Sequence, residues 1–353
     1  MQEKFYKNLE SRLFETVFNK NKFLNLSDIN IFFSGATGFL GKWMLKSLEY
    51  IAIKEKIGIS VTILTRNRDN IGSITKEFSN LHLDFLIDDI SNIQIKKNNY
   101  DIIFHFAASS SYEDNLDKLK VSDTIINGTA NIIKNSEKLN IRNIVFLSSG
   151  AVYGKNCKKY DGWKETDNDS PDVLDERSTY GLSKKCSENL LIDWARRNKA
   201  NLLVLRGFTF GVISENKKSH FAFDNFIKKR VNKEDITMNS TGQSKRNYMH
   251  PLDLCNWIFL SLPLRKINIL NCGSKENISL INLAKKVASL SIEGLSSVRY
   301  IKGRDHYNEN YIPNLRKCHK LGYQERISLD EQIKYSIYHF LRKNNRNGKS
   351  NSF

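Results

Sequence analysis

Short apolar segments alternate with amphipathic segments through the first two thirds of the chain. The apolar runs, rich in β-branched and aromatic residues, predict buried strands at 29–33, 59–65, 81–86, 101–106, 141–147 and 201–206. Amphipathic patterns between these runs predict helices, most clearly at 39–54, 121–139 and 178–198. This regular alternation predicts an α/β fold with a doubly wound, Rossmann-like parallel sheet.

The alternation breaks into mixed pieces from about Phe208, which predicts a smaller C-terminal lobe. We expect four regions: an N-terminal helical extension (1–28), a Rossmann domain (29–207), the second lobe (208–341) and a disordered basic tail (342–353). Whether the second lobe also contains elements that return to the first domain stays open. The tail is polar and basic, which is typical of frayed chain ends.

A glycine-rich turn follows the first predicted strand. Gly35, Gly38 and Gly41 lie between that strand and the first long amphipathic segment. A strand, a tight glycine turn and a helix start form the arrangement that places a dinucleotide diphosphate on a helix N-terminus. The spacing is G-x-x-G-x-x-G rather than G-x-G-x-x-G, so an ordinary surface turn is the alternative for this motif alone.

The composition narrows the class of protein. Of the 353 residues, 40% are hydrophobic, which is enough for a sizeable core. The formal net charge of +17 comes from dispersed lysines and arginines. We interpret it as solvated basic surface; the alternative is an anionic partner such as nucleic acid, which the dispersed pattern disfavours.

The chain shows no signal for a membrane, a secretory route or a metal. No apolar run reaches the roughly 18 residues that a membrane span needs, and the N-terminus lacks the features of a signal peptide. The five cysteines are scattered, without CxxC pairs or metal-ligand spacing. These observations predict a cytoplasmic protein with reduced thiols and no metal site.

Two motifs carry the candidate chemistry. Ser149 follows the strand predicted at 141–147, and Tyr180 and Lys184 lie four residues apart on one face of a predicted helix. A free phenol has a pKa of about 10, and a neighbouring cation favours the phenolate and lowers that pKa. Lowering it by about 3 units would require about 4 kcal/mol. The three residues together predict a proton-transferring site.

In combination these motifs resemble the extended short-chain dehydrogenases/reductases, specifically the nucleotide-sugar epimerase/dehydratase group. The resemblance covers roughly residues 30–340. It is carried by GATGFLG at 35–41, Asp89-Ile90, Phe106-Ala-Ala-Ser109, SSGAVYG at 148–154, YGLSK at 180–184 and Arg246–Asp253, which is similar to RxYxxxxD. It implies that the Rossmann domain binds NAD(P), that the second lobe binds a nucleoside diphosphate sugar, and that the protein forms a homodimer.

The resemblance also implies roles for individual residues. Tyr180 would be the acid/base, Lys184 its electrostatic partner, and Ser149 a hydrogen-bond partner of the reacting sugar oxygen. The implied cofactor-binding residues are Gly35, Thr37, Gly38, Phe39, Leu40, Gly41, Arg66, Asp89, Ile90, Phe106, Ala107, Ala108, Tyr180 and Lys184. The implied substrate-binding residues are Ser109, Ser149, Gly150, Thr209, Asn225 and Arg246, the last pairing with the diphosphate.

Departures from the family pattern help to choose between activities. Dehydratases of this group usually carry acidic residues after the catalytic hydroxyl, and this chain has Gly150 and Ala151 there. That difference disfavours 4,6-dehydration and leaves a ketoreductase or a 4-epimerase. Thr209 stands where the family often has asparagine, which leaves the sugar and the base open.

Arg66 stands near the position where NAD enzymes generally place an acidic residue for the adenosine ribose. An arginine suits a 2′-phosphate and favours NADP(H), although NAD with a solvent-facing arginine is the alternative. We therefore predict reduction of the C4 keto group of a nucleoside diphospho-4-keto-6-deoxyhexose, a step that typically serves polysaccharide precursors. The alternatives are an NAD-dependent 4-epimerase and, in another class, a non-catalytic protein of this fold that binds RNA or a protein partner.

Overall fold

The computed structural model describes most of the chain. The described residues are 2–19, 23, 26–96, 99–108, 117–155, 161–213, 221–292, 297, 299–303 and 309–349.

A seven-stranded parallel sheet forms the centre of the molecule, in the order β3-β2-β1-β4-β5-β6-β9. Its strands are β1 (Ile29–Ser34), β2 (Ile59–Thr65), β3 (His82–Ile87), β4 (Ile102–His105), β5 (Asn143–Ser149), β6 (Asn201–Gly207) and β9 (Ile267–Cys272). Two small sheets pair β8 (Lys245–Asn247) with β10 (Asn277–Ser279) and β7 (Ile236–Thr237) with β11 (Tyr300–Ile301). The predicted α/β fold with a parallel Rossmann-like sheet is confirmed.

Helices connect and cover the strands. They are α1 (Gln2–Phe18), α2 (Phe39–Glu55), α3 (Asn70–Glu77), α4 (Lys118–Ser122), α5 (Gly128–Leu139), α6 (Thr179–Arg197), α7 (Ala222–Val231), α8 (Pro251–Leu260), α9 (Leu280–Ser289), α10 (Arg316–Lys320) and α11 (Leu329–Lys349). A π-helical segment, Asp123–Asn127, joins α4 to α5, and a 3₁₀ turn, Gly150–Tyr153, follows β5. None of the helices in the described ranges is long and apolar enough to cross a membrane.

Successive residues of the central strands pack into opposite layers of core. In β1, Phe33 packs into the layer that contains Met44 and Leu48 of α2, whereas Phe32 packs into the layer that contains Ile132 of α5. Side chains alternate between the two faces of a strand, so a sheet covered by helices on both sides needs apolar residues at consecutive positions. This requirement explains why the central strands appear in the sequence as continuous apolar runs.

The N-terminal helix belongs to the folded core. Phe14, Val17 and Phe18 of α1 are buried in the same layer as α2, α8 and α11. The Arg326 guanidinium donates to the carbonyl of Val17 at 2.9 Å, and the Lys54 ammonium donates to the carbonyl of Phe18 at 2.9 Å. The region predicted as an extension therefore contributes apolar surface to one face of the Rossmann sheet.

Parts of the predicted second lobe return to the sheet. β9 pairs with β6 in parallel, and α8 packs against α1 and α2. Most side chains of α8 are buried, including Trp257 and Phe259, as expected for a helix enclosed by neighbours. At the C-terminus, α11 continues to Lys349, past residue 341, where the sequence predicts a disordered tail.

Candidate active site

Two glycines allow the turn after β1 to pass close to neighbouring backbone. Gly35 has a φ of +85°, and a Cβ atom there would lie 2.5 Å from the backbone nitrogen of Ala107. A Cβ atom on Gly41 would lie 2.1 Å from the carbonyl oxygen of Gly35. Both distances are too short for non-bonded atoms, so larger residues would displace the turn or α2. The fold therefore needs these glycines for packing, quite apart from any ligand.

The third glycine, Gly38, is exposed and caps the N-terminus of α2. Glycine cannot supply the capping hydrogen bond that serine or aspartate gives to first-turn N–H groups, and this first turn contains no acidic residue. Thr37, Phe39 and Leu40 are half-buried around the same helix end. The arrangement fits the diphosphate of a dinucleotide, which would supply the negative charge that a helix N-terminus favours.

Arg66 follows directly after β2, close to Asp89, which lies in the segment after β3. The Nη1 atom of Arg66 is 3.8 Å from Oδ2 of Asp89, and its side chain is 59% exposed. Asp89 accepts hydrogen bonds from the Ser91 backbone nitrogen at 3.0 Å and hydroxyl at 2.6 Å, and the neighbouring Ile90 is buried. Partial burial acts to raise the pKa of Asp89, but the Ser91 hydrogen bonds and the Arg66 charge lower it overall. Because the Arg66 side chain is largely exposed, its guanidinium is accessible to a ribose or phosphate group.

The end of β4 brings three further predicted cofactor residues to this edge of the sheet. Phe106 is buried, and its backbone nitrogen donates to the carbonyl of Ser34 at 2.9 Å. Ala107 and Ala108 are half-buried directly after it. Ser109, predicted to bind substrate, lies outside the described residues.

A buried histidine anchors β4 to β1 and α5. The Ser34 hydroxyl is 2.8 Å from Nδ1 of His105, and Nε2 is 2.9 Å from the Thr129 hydroxyl. Thr129 donates its own proton to the carbonyl of Ile125 at 2.6 Å, so it accepts from Nε2–H, and Nδ1 accepts from Ser34. Burial, with the charge of Lys184, lowers the pKa of His105 to about 3. The imidazole is therefore neutral and structural.

The candidate catalytic hydroxyls meet where β5 ends. Ser149 is the last residue of β5, and its Oγ atom accepts a hydrogen bond from the Ala151 backbone nitrogen at 3.1 Å. Tyr180 lies in the first turn of α6, near enough to Ser149 for the serine hydroxyl to act on the pKa of its phenol. The close approach of α6 depends on Gly181, where a Cβ atom would lie 2.4 Å from the carbonyl oxygen of Ala151. Local glycine packing thus brings Tyr180 to Ser149.

Lys184 lies one helical turn further along α6 and is almost completely buried. Its ammonium donates to the carbonyl of Leu147 at 2.7 Å and lies 4.7 Å from the centre of the Phe146 ring. Burial lowers the pKa of Lys184 to about 7, although the charge of Glu188 acts to raise it.

The electrostatics of Tyr180 differ from the sequence-based expectation. Burial raises the pKa of Tyr180 to about 12, and the hydrogen bond to Ser149 opposes this only in part. The sequence predicts a lowered pKa because it places Lys184 on the same helix face. In the structure the Lys184 ammonium is held by a main-chain carbonyl, and burial dominates. At neutral pH Tyr180 is therefore a protonated phenol.

The predicted substrate residues are only partly brought together. Gly150 follows Ser149 directly, and Thr209 is half-buried after β6, where its carbonyl accepts from Met249 at 2.9 Å. Arg246 is half-buried, and its Nη1 atom donates to the carbonyls of Lys245 at 2.9 Å and Glu309 at 2.5 Å.

Asn225, also predicted to bind substrate, is on the exposed face of α7. Its neighbours Asp224 and Phe226 take the buried positions, so the helical pattern of α7 turns residue 225 towards solvent. The structure gives no contact between Asn225 and the other predicted site residues in the described ranges.

Residues 31–273 match the sequence profile described as the NAD dependent epimerase/dehydratase family. The chain belongs to this family. The match runs from β1 to the end of β9 and includes the glycine turn, Ser149, Tyr180 and Lys184. The predicted family and the predicted nicotinamide dinucleotide cofactor are therefore confirmed.

Several proteins to which the chain is similar are named as nucleotide-sugar enzymes or were solved with nucleotide sugars. It is 22% identical over 364 residues to dTDP-D-glucose 4,6-dehydratase of Dictyostelium discoideum, a match that covers 90% of this chain and 82% of the relative. The fold is similar to that of UDP-N-acetylglucosamine 4-epimerase from Methanobrevibacter ruminantium M1 in complex with UDP-N-acetylmuramic acid. That similarity has a TM-score of 0.75 and 19% identity, and covers 90% of this chain and 99% of the other. MoeE5, solved with UDP-glucose and NAD, has a TM-score of 0.70 and 21% identity, with coverage of 89% and 99%.

A buried ion pair beneath the site was not predicted from the sequence. Glu188 of α6 accepts from Nε and Nη2 of Arg206 at 3.0 and 2.7 Å, and from the Ser148 hydroxyl at 2.5 Å. Arg206 also donates to the Tyr153 hydroxyl at 2.7 Å, which in turn donates to Asn271 at 2.8 Å. The sequence feature that could have indicated this ion pair is the position of Glu188, four residues after Lys184 and on the same face of the helix.

Two aromatic residues beside Ser149 were also missed. A Cβ atom on Gly150 would lie 2.8 Å from atoms of the Phe208 ring, so this ring occupies the space that a side chain at position 150 would need. Tyr311 packs against Phe208 with ring centres 4.7 Å apart, and its hydroxyl is 3.4 Å from Ser149 Oγ. Tyr311 is far from Ser149 in the sequence, and no local pattern indicates their contact.

Within the described ranges, no group of three or more histidine, cysteine, aspartate or glutamate side chains could hold a metal ion. The side chains at the end of β5 that can take part in proton transfer include the hydroxyls of Ser149 and Tyr180 and the buried ammonium of Lys184.

Proposed function

We propose that the chain reduces the C4 keto group of a nucleoside diphospho-4-keto-6-deoxyhexose. The observation that carries this proposal is the hydroxyl pair of Ser149 and Tyr180 at the end of β5, with Lys184 behind it and no carboxylate at positions 150 and 151. Such a site can move one proton at one sugar oxygen.

The proposed step is a balanced carbonyl reduction. NAD(P)H, which the glycine turn at 35–41 would hold, would supply a hydride, and thus two electrons, for the carbonyl carbon. Tyr180 donates its phenolic proton to the carbonyl oxygen, while Ser149 hydrogen-bonds the same oxygen, and a secondary alcohol results. The Tyr180 phenolate then regains a proton from water. Because burial raises the pKa of Tyr180 to about 12, the phenol holds a proton at neutral pH, which supports reduction.

Dehydration, the activity in the name of the Dictyostelium relative, is disfavoured for this chain. Removing water from the sugar needs an acid and a base in addition to the tyrosine. Gly150 and Ala151 carry no titratable group, and the Phe208 ring fills the space next to position 150. Restoring an acidic side chain there would require Phe208 to move.

Two arginines support the proposed cofactor and substrate. The exposed guanidinium of Arg66 suits the 2′-phosphate of NADPH, since guanidinium–phosphate pairs are strong and directional. Arg246, half-buried next to Tyr311, would pair with the diphosphate of the sugar nucleotide. Net reduction consumes its cofactor, which is consistent with a preference for NADPH.

A 4-epimerase is the second candidate, favoured by the similarity in fold to a UDP-N-acetylglucosamine 4-epimerase. The same residues would serve it: Tyr180 would remove and return one proton while the hydride leaves and returns at C4. Such an enzyme would retain its NAD and show no net oxidation or reduction.

The test is the absorbance of reduced nicotinamide. Purified protein is mixed with a nucleoside diphospho-4-keto-6-deoxyhexose and either NADPH or NADH, with Tyr180→Phe as the control. We expect stoichiometric oxidation that depends on Tyr180. No net oxidation, together with NAD released on denaturation and interconversion of two UDP-hexoses, would refute the reductase and support the epimerase.

A further inference from the structure

A third hydroxyl, that of Tyr311, reaches the catalytic pair from a distant part of the chain. Its Oη atom is 3.4 Å from Ser149 Oγ. The Tyr311 backbone nitrogen donates to the carbonyl of Lys245 at 3.1 Å, and its ring packs against Phe208. The residue is held by both backbone and ring, so its hydroxyl has a defined position next to Ser149.

The hydrogen-bonding capacity of Ser149 gives this contact a consequence. A serine hydroxyl has one proton to donate and two lone pairs that accept. The Ala151 backbone N–H, 3.1 Å away, occupies one lone pair because an amide N–H can only donate. Burial raises the pKa of Tyr311 well above its ordinary value, against the opposing effects of Ser149 and Arg246, so Tyr311 keeps its proton at neutral pH. A donation from Tyr311 would occupy the second lone pair.

We propose that Tyr311 is a positioning residue: its phenol donates to Ser149 Oγ, which leaves the Ser149 proton to be directed at Tyr180 or at the reacting sugar oxygen. The proposal rests on the proposed redox chemistry at a sugar carbon. With both lone pairs of its oxygen occupied, the Ser149 hydroxyl can only donate a hydrogen bond. It then stabilises the negative charge that develops on the sugar oxygen in the transition state. Tyr311 therefore acts on the reaction through Ser149.

Arg246 connects the same tyrosine to the proposed diphosphate site. Its guanidinium lies 5.7 Å from the centre of the Tyr311 ring, and the two residues form a β-bridge. One side chain, that of Tyr311, thus contacts both the residue proposed to bind the diphosphate and the serine at the reacting carbon. We expect its ring to matter for substrate binding and its hydroxyl for turnover.

The substitution Tyr311→Phe separates these contributions, because it removes the hydroxyl and keeps the ring. We expect kcat to fall about fivefold to tenfold, as for the loss of one hydrogen bond in the transition state, and KM for the nucleotide sugar to change less than twofold. Tyr323→Phe is the matched control. It removes a tyrosine–serine hydrogen bond of 2.9 Å, to Ser261 after α8, and should leave kcat unchanged.

A double-mutant cycle tests whether Tyr311 acts through Ser149. In a Ser149→Ala background Tyr311→Phe should have no further effect on kcat, because the acceptor is gone. An equal fall in both backgrounds would overturn the proposal, as would an unchanged kcat or an effect on KM alone. Urea unfolding of each variant identifies those that are only unstable.

The activity of the wild-type enzyme distinguishes a failure of the Tyr311 proposal from a failure of the proposed reduction. If the wild type oxidises NAD(P)H and Tyr311→Phe does so equally fast, the Tyr311 proposal fails and the reductase stands. If the wild type instead interconverts UDP-hexoses, the reductase fails, and the same cycle is measured on epimerisation. A wild type that performs neither reaction overturns both proposals.

Discussion

Because Glu188 and Arg206 form a buried ion pair, we expect the small chemical change Glu188→Gln to cause a large loss of stability. The side chains are 4% and 10% exposed, and their shortest N···O distance is 2.7 Å. Glu188→Gln preserves shape but leaves the guanidinium buried beside a neutral amide. Breaking a buried pair in this way costs about 3–5 kcal/mol, because the remaining charge has been removed from water without compensation.

The size of the expected stability loss follows from the hydrogen bonds that Glu188→Gln changes. Both carboxylate oxygens of Glu188 accept from Arg206, and Oε1 also accepts from Ser148. Hydrogen bonds to charged groups contribute about 1.5–3 kcal/mol each, but they share one carboxylate and do not add fully. A loss of about 3–5 kcal/mol is a large part of the roughly 5–15 kcal/mol that stabilises a typical protein.

Urea unfolding measures the effect, with a control from the same helix. Asp193 and Arg197 form an exposed pair at 2.7 Å, with side chains 62% and 59% exposed, so Asp193→Asn should change stability very little. Combining Glu188→Gln with Arg206→Met should recover part of the loss, since the stranded charge is then absent. A stability loss below about 1 kcal/mol for Glu188→Gln, or one no larger than that for Asp193→Asn, would contradict the expected role of the buried pair.

Two further predictions concern the cofactor and the response to acid. Arg66→Ala should lower kcat/KM for NADPH about tenfold or more and change kcat/KM for NADH by less than about threefold, because only NADPH carries the 2′-phosphate. Steady-state kinetics that show the same decrease for both cofactors would contradict a contact between Arg66 and the 2′-phosphate. Burial lowers the pKa of His105 from 6.5 to about 3, so between those values the unfolded chain binds a proton that the folded chain does not. The free energy of unfolding should therefore decrease as the pH falls below 6.5. Between pH 7 and pH 5, His105→Gln should abolish about 2 kcal/mol of this decrease. If urea titrations show the same pH dependence for the variant and the wild type, His105 is not responsible.

Elements with a strong local pattern could be predicted from the sequence. The strand predicted at 59–65 is β2, residue for residue, and the helix predicted at 178–198 is α6 with one residue fewer at each end. The glycine turn and the Tyr180–Lys184 pair were also found by spacing, because a turn and one helix face are formed by neighbours in sequence. Their individual roles in cofactor and substrate binding stay predictions.

The assignments that needed distant contacts were incomplete. The family resemblance implies that Asn225 binds substrate, but the packing of α7 leaves it exposed. The sequence assigns no site role to Tyr311, although the fold brings it to Ser149. Position 225 is decided by which face of α7 is buried, and the position of Tyr311 by a β-bridge to Arg246, and neither can be read from local spacing.

The sequence by itself thus determined the Rossmann-like sheet, the family and the triad of Ser149, Tyr180 and Lys184 as candidates. Only the tertiary structure decided their electrostatics: burial raises the pKa of Tyr180 to about 12 and lowers that of Lys184 to about 7. The same holds for the Glu188–Arg206 pair and for the Phe208 ring next to Gly150. The physical reason is that apolar periodicity and motif spacing are local properties, whereas desolvation and the space around a side chain depend on every element packed against it.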